Sequence, residues 1–241
     1  MVISVDAARE SSAACLSRSF SDIIASLTIA ELSALRSSRQ FRFQACTGDA
    51  RLTDLLNWDA LWKLIGSGAF PLWKLRVSYG RRIVQPMFYS DQGSIKANRL
   101  AGLIEQGCSI IAGRIESHVP AIETVCRNAE SHGLPIAEVG AIVTSGSGGA
   151  FPRHYDMHDM VILQIEGRKR WRVFGPRVVH PIRESCCKNP PRTAPLFDRV
   201  FAPGDLLFLP SGFWHECDNE CGRSLHLGLF MDPPPAADRT D

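Results

Sequence analysis

The chain has 241 residues, enough for one domain or slightly more. Hydrophobic residues make up 45% and charged residues 22%, which excludes disorder, collagen and coiled coil as descriptions of the whole chain. Lys+Arg number 27 against 25 Asp+Glu, a formal net charge of +2, so bulk electrostatics gives no basis for a nucleic-acid or membrane-surface function and neither partner is expected.

In chain order, Met1–Asp6 has no basic stretch of the kind that opens a signal peptide. No apolar run approaches the roughly 18 residues of a membrane span, so a cytoplasmic protein is expected. Ser21-Asp22 can cap a first helix in which Ile24, Leu27, Leu32 and Leu35 recur at helical spacing. Thr53-Asp54 precedes a second, whose stripe of Leu55, Leu56, Trp58, Leu61, Trp62 and Ile65 ends at Gly66-Ser67-Gly68. Alternation over Trp73–Val77, then Gly80 and Ile83-Val84, predicts a short hairpin with Arg81-Arg82 at its tip. Ile95–Gln106 and His118–His132 read as helices, with a strand at Ser109–Ala112 between them.

From about Pro135 the texture changes. Short β-rich runs follow at Ala141–Thr144, Met160–Ile165, Lys169–Phe174, Arg199–Phe201, Asp205–Leu209, Phe213–Cys217 and Ser224–Phe230. With clear turns at Pro203-Gly204-Asp205 and Pro210-Ser211-Gly212, they predict an antiparallel sandwich or barrel. One compact unit is expected: a helical region over 1–134 packed on a barrel over 135–232, with a frayed tail at 233–241. The eight cysteines (15, 46, 108, 126, 186, 187, 217 and 221) contain no CxxC pair and read as small buried hydrophobes in a reducing compartment. Cys217 and Cys221 lie near His215 and His226, but at a spacing that fits no common zinc finger.

Chemistry concentrates in the second half. In an extended His154-Tyr155-Asp156, the imidazole and the carboxylate point to the same side, about 6.6 Å apart along the chain. His215 follows the Pro210–Gly212 turn at the start of another strand. Two histidines and a carboxylate on adjacent strands make the facial triad that holds non-haem Fe(II) and leaves positions open for co-substrate and O2. An HxD alone is a weak signal; the glycine–proline framing of His215 strengthens it. In Gly167–Phe174, alternation puts Arg168, Arg170 and Arg172 on one face and Lys169, Trp171 and Val173 on the other. If Trp171 and Val173 face inward, so does Lys169, and a buried ammonium requires an anion. That anion is either an internal protein carboxylate or the carboxylate of a ligand such as a 2-oxoacid.

These runs, His154-Tyr155-Asp156-Met157-His158-Asp159, then Val161 to Val173, and Pro203 to His215 closed by Ser224-Leu225-His226-Leu227, resemble the JmjC-type ribosomal oxygenase group of cupin-like proteins. The resemblance covers about residues 140–230 and runs more loosely back to Leu52. It implies a mainly β fold with flanking helices around a double-stranded β-helix (jelly-roll, cupin-like) barrel. It also implies an Fe(II)- and 2-oxoglutarate-dependent oxygenase that uses O2 to hydroxylate a peptide or protein side chain. By that resemblance His154, Asp156 and His215 bind the metal, and Lys169 binds the C5 carboxylate of 2-oxoglutarate. Ser145 stands at a second co-substrate contact. His226 belongs to the same pocket, with a satisfied core histidine as the alternative.

Gly140 and Ile142 stand where relatives often carry Asn and Tyr. Characterised members continue into a helical dimerisation region and a winged-helix-like domain that this sequence does not contain, so their ribosomal-protein target and their dimer do not transfer. A small molecule or peptide natural product is the alternative substrate, and a non-catalytic metal-binding cupin module the alternative class. Zinc or manganese cupin enzymes usually need three histidines and a glutamate, a pattern absent here. Other residues have plainer expectations. His158 stands beside the ligands or on the surface, while Asp159 and Glu166 take solvated or hairpin roles. Ser145-Gly146-Ser147-Gly148-Gly149 forms a lip over the site and no phosphate cradle, for want of a Gly-Lys-Ser/Thr ending. Tyr155 and Trp214 pack outward.

Overall fold

The computed structural model describes residues 27–45, 54–80, 82–146, 148–179, 181 and 189–232. Outside them fall the expected Ser21-Asp22 cap, Thr53, Arg81, Ser147, Cys15, Cys46, Cys186, Cys187 and the tail after Asp232.

Helix α1 spans Ile29–Ser38 and starts at a capping box: the Thr28 hydroxyl accepts from the Glu31 amide, and the Glu31 carboxylate accepts from the Thr28 amide. Helix α2 spans Trp58–Gly66 and starts later than its apolar stripe, because Asn57 caps it through the Ala60 amide. Leu55 and Leu56 precede this helix yet are buried. Glu166 is half-buried rather than solvated: its carboxylate accepts from the Trp58 amide at 2.8 Å, at the positive end of α2. Helices α3 (Ala97–Glu105) and α4 (Pro120–Ser131) follow as expected, the latter with proline in its first turn.

The strands are β1 (Arg42–Gln44), β2 (Leu75–Tyr79), β3 (Arg82–Val84), β4 (Ser90–Asp91), β5 (Ser94–Ile95), β6 (Ser109–Ala112), β7 (Ile136–Ser145), β8 (Gly148–His154), β9 (Asp159–Phe174), β10 (Phe197–Phe201), β11 (Leu206–Leu209) and β12 (Trp214–Met231). Among the described residues β4 pairs only with β5, and the others form one sheet in the order β1-β11-β9-β12-β7-β6-β2-β3, with β10 added to β9 and β8 to β12. β1, β2, β3 and β6 therefore extend the sheet from residues before Pro135. β1 and β8 are absent from the sequence reading. β9 and β12 each join two runs that the sequence reading separates.

The reason lies at Gly167. Its φ is +70°, and an added Cβ would lie 1.9 Å from the Arg223 carbonyl oxygen on β12. This bulge and the register shifts of β12 between Asn219 and His226 kink the β9–β12 ladder at its middle without ending it. Beyond the kink, the C-terminal half of β9 pairs with β10, and the N-terminal half of β12 pairs with β8. Before it, the N-terminal half of β9 pairs with β11, and the C-terminal half of β12 pairs with β7. The two halves thus face each other as the two layers of an antiparallel jelly roll.

The kink also resets side-chain alternation. Even-numbered Met160 and Ile162 share the interlayer core with odd-numbered Trp171 and Val173. Val161, Leu163 and Ile165 turn instead to the second core, beneath the helices. The one-residue offset is what aims Lys169 inward; its fractional exposure is 0%.

Candidate metal centre

His154 ends β8 and His215 stands second in β12, and the two are directly paired across the strands. Asp156 lies two residues beyond His154, in the irregular stretch before β9. One ligand atom from each of the three can be chosen so that all lie within 4.8 Å of one another, the one such group found among the described residues. Asp156 Oδ2 is 3.8 Å from His154 Nε2 and 3.4 Å from His215 Nε2, and the imidazole centroids are 4.3 Å apart.

Both imidazoles are oriented by the same local device. His154 Nδ1 lies 2.9 Å from the Pro152 carbonyl and His215 Nδ1 lies 3.1 Å from the Phe213 carbonyl, each two residues upstream. A carbonyl only accepts, so each Nδ1 carries the proton and each Nε2 presents a lone pair to the shared space. Burial, with His215 beside it, lowers the His154 pKa and keeps its ring neutral. Burial by itself would raise the Asp156 carboxyl, but the adjacent His215 and His154 rings outweigh it and hold the group below its usual range. Two neutral imidazoles and one carboxylate suit a non-haem Fe(II) ion.

Deeper between the layers lies Lys169. Its Nζ sits 3.3 Å from Thr144 Oγ1 and 3.3 Å from His226 Nδ1, and among the described residues no carboxylate lies within 4.0 Å of it. The internal salt bridge considered from sequence is therefore not what holds it. Burial lowers the Lys169 pKa, and burial together with the Lys169 charge holds His226 well below the usual histidine range. Thr144 is fixed in turn by Ser109, hydroxyl to hydroxyl at 3.0 Å. Trp171 closes one side, its ring edge-on to His226 at 5.2 Å and 6.1 Å from His215, and Cys217 faces the same interior.

Thr144 is the hydroxyl that sequence reasoning missed. Ser145, expected as a co-substrate contact, is the next residue, and strand alternation puts it on the face that carries Val143. Ala141, Ile142, Val143 and Thr144 are all buried, so the run by itself does not reveal which parity faces the barrel interior. His158 is partly exposed and lies 3.4 Å from Asp232. Asp159 is 1% exposed and paired with Arg36, a correction to its solvated assignment. Tyr155 and Trp214 stack edge to face at 5.1 Å. Arg170 and Arg172 point outward as expected and pair with Asp198.

Residues 121–238 match the JmjC domain family model. The human protein named "Ribosomal oxygenase 1" is 39% identical over 94 residues, 36% of this chain and 14% of that one. The Drosophila willistoni protein named "Bifunctional lysine-specific demethylase and histidyl-hydroxylase NO66" is 32% identical over 135 residues, 54% of this chain and 18% of that one. This chain thus spans less than a fifth of the length of these two relatives. Among solved structures, the ribosomal oxygenase YcfD from Escherichia coli superposes with a TM-score of 0.58 at 17% identity, over 88% of this chain and 53% of that one. The same protein solved in complex with cobalt and 2-oxoglutarate gives a TM-score of 0.54 at 17% identity, over 82% of this chain and 49% of that one. At such identity the likeness establishes the jelly-roll fold. The chain is thus similar to the JmjC domain family over residues 121–238, just under half of its length.

Proposed function

We propose that the protein is an Fe(II)- and 2-oxoglutarate-dependent oxygenase that hydroxylates a peptide or protein side chain. The observation that carries the reading is a fully buried lysine that no carboxylate among the described residues pairs, in the same interlayer space as a two-histidine, one-carboxylate group. His154, Asp156 and His215 would hold the metal through two Nε2 atoms and a carboxylate oxygen. Lys169 would hold the distant carboxylate of 2-oxoglutarate, with the Thr144 hydroxyl beside it and His226 against the ammonium. When bound, iron and 2-oxoglutarate supply the oxidising chemistry: O2 converts 2-oxoglutarate to succinate and CO2 and delivers its second oxygen atom to a substrate C–H bond.

The chain's own contribution is geometric and electrostatic. The carbonyls of Pro152 and Phe213 fix the imidazole orientations, so both lone pairs converge before any metal arrives. Trp171, Phe201 and the aliphatic residues of both layers exclude water, which strengthens the attraction between the ammonium and an incoming carboxylate. A protein target is supported by the names of the relatives, and the setting we propose is cytoplasmic.

Succinate formation from 2-oxoglutarate under aerobic conditions with Fe(II) tests the reading, with a search for a +16 Da product on candidate peptides and metabolites. Loss of succinate in His154→Ala is the expected result. Metal binding by the wild type without any 2-oxoglutarate turnover would favour a non-catalytic binding module.

A further inference from the structure

We infer that Asp159, with Arg36 of α1 and Arg39 just past its C-terminal end, is a positioning clasp that sets Asp156 in register with the two histidines; the inference rests on the metal-site reading above. His154 and His215 are held by the sheet ladder, whereas Asp156 lies between β8 and β9, where no ladder holds it. Its backbone is fixed instead by the turn before β12: the Gly212 amide donates to the Asp156 carbonyl at 2.9 Å.

That turn is held on two sides. The Ser211 amide donates to Asp159 Oδ1 at 2.9 Å, and the Ser211 carbonyl accepts from the Arg39 guanidinium. Asp159 Oδ2 accepts from Arg36 Nε at 3.0 Å, and Arg36 also donates to the Asp232 carbonyl at the end of β12. Asp159 and Ser211 are both 1% exposed, so the bond between them forms where water cannot replace it. One buried carboxylate, three residues after Asp156, therefore ties the loop that carries that ligand to the turn that leads into His215. Helix α1 braces the joint from outside. A metal site needs its ligands within a few tenths of an ångström, and the clasp acts on the one ligand that the sheet leaves loose.

The test measures Mn(II) affinity and the melting temperature of the metal-free protein in the wild type and in Asp159→Asn, Arg39→Ala, Arg39→Lys and Thr28→Ala. Thr28→Ala removes the cap of the same helix without touching the clasp. Asp159→Asn and Arg39→Ala are expected to weaken Mn(II) binding about tenfold or more, in the range seen when the partners of metal-ligating groups are removed. Arg39→Lys should recover part of that loss, and Thr28→Ala should lower the melting temperature while leaving affinity within about twofold of wild type. Unchanged affinity in both Asp159→Asn and Arg39→Ala, or affinity losses that follow the melting temperature in every variant including Thr28→Ala, would overturn the clasp. His154→Ala and His215→Ala serve as reference arms. If neither weakens Mn(II) binding, the metal-site reading fails, and the clasp with it.

Discussion

Replacing Lys169 by methionine separates two accounts of the buried cation by the sign of a melting shift. In the wild type the ammonium is fully buried, with a hydroxyl and an imidazole at 3.3 Å as its polar neighbours. Burying an ion costs several kcal/mol after relaxation, and two neutral contacts recover only part of that cost. Methionine has similar length and no charge, and Thr144 keeps its bond to Ser109. The ligand-free variant should gain about 2 kcal/mol, which for a chain of this size raises the melting temperature by about 4–8 °C. With 2-oxoglutarate the sign reverses. A carboxylate entering the pocket would be left without its cation, a loss of about 3–5 kcal/mol and hence more than about a hundredfold in affinity. Differential scanning fluorimetry with and without 2-oxoglutarate, in the presence of Mn(II), reads both quantities, and calorimetry supplies the affinity. A ligand-free variant that melts below the wild type would mean that a protein carboxylate depends on Lys169. Affinity retained within about tenfold would remove the lysine from the co-substrate pocket.

Three further outcomes are expected. Gly167→Ala places a Cβ against the Arg223 carbonyl at a positive φ, so urea denaturation should show a loss of about 3 kcal/mol or more; a loss below about 1 kcal/mol would mean that the kink is not needed to set the β9 register. His226 has a folded-state pKa well below the unfolded value near 6.5, so the unfolded chain binds more protons as pH falls below that value. Stability contributed by neutral His226 is thus present above about pH 6.5 and lost on acidification, with a slope of up to about 1.4 kcal/mol per pH unit. His226→Gln should flatten the dependence between pH 7 and 5 in urea melts, leaving the part due to His118 and His154, which burial also depresses; an unchanged slope would refute the assignment. Thr144→Val keeps the shape and removes the hydroxyl beside Lys169, and should weaken 2-oxoglutarate binding about tenfold or more by calorimetry, as one lost charge-assisted hydrogen bond.

Sequence alone carried the local rules. Alternation in Lys169-Arg170-Trp171-Arg172-Val173 decided which side chains share a face, because the period of a strand is fixed by backbone geometry. The spacing of His154 and Asp156 brought an imidazole and a carboxylate to one side, and the glycine–proline punctuation marked the turn before His215. Tertiary structure decided what depends on distant pairing. The merger of two runs into β9 needed the Gly167 bulge matched against Arg223, fifty-six positions later. The burial of Asp159 needed α1 and the Ser211 turn to meet it. The choice of Thr144 over Ser145 needed the registers of β7 with β6 and β12, which no single segment encodes. Whether Lys169 met a protein carboxylate was open for the same reason: a short segment reveals its own periodicity, while partners across the barrel are set by how all the strands close around a shared interior.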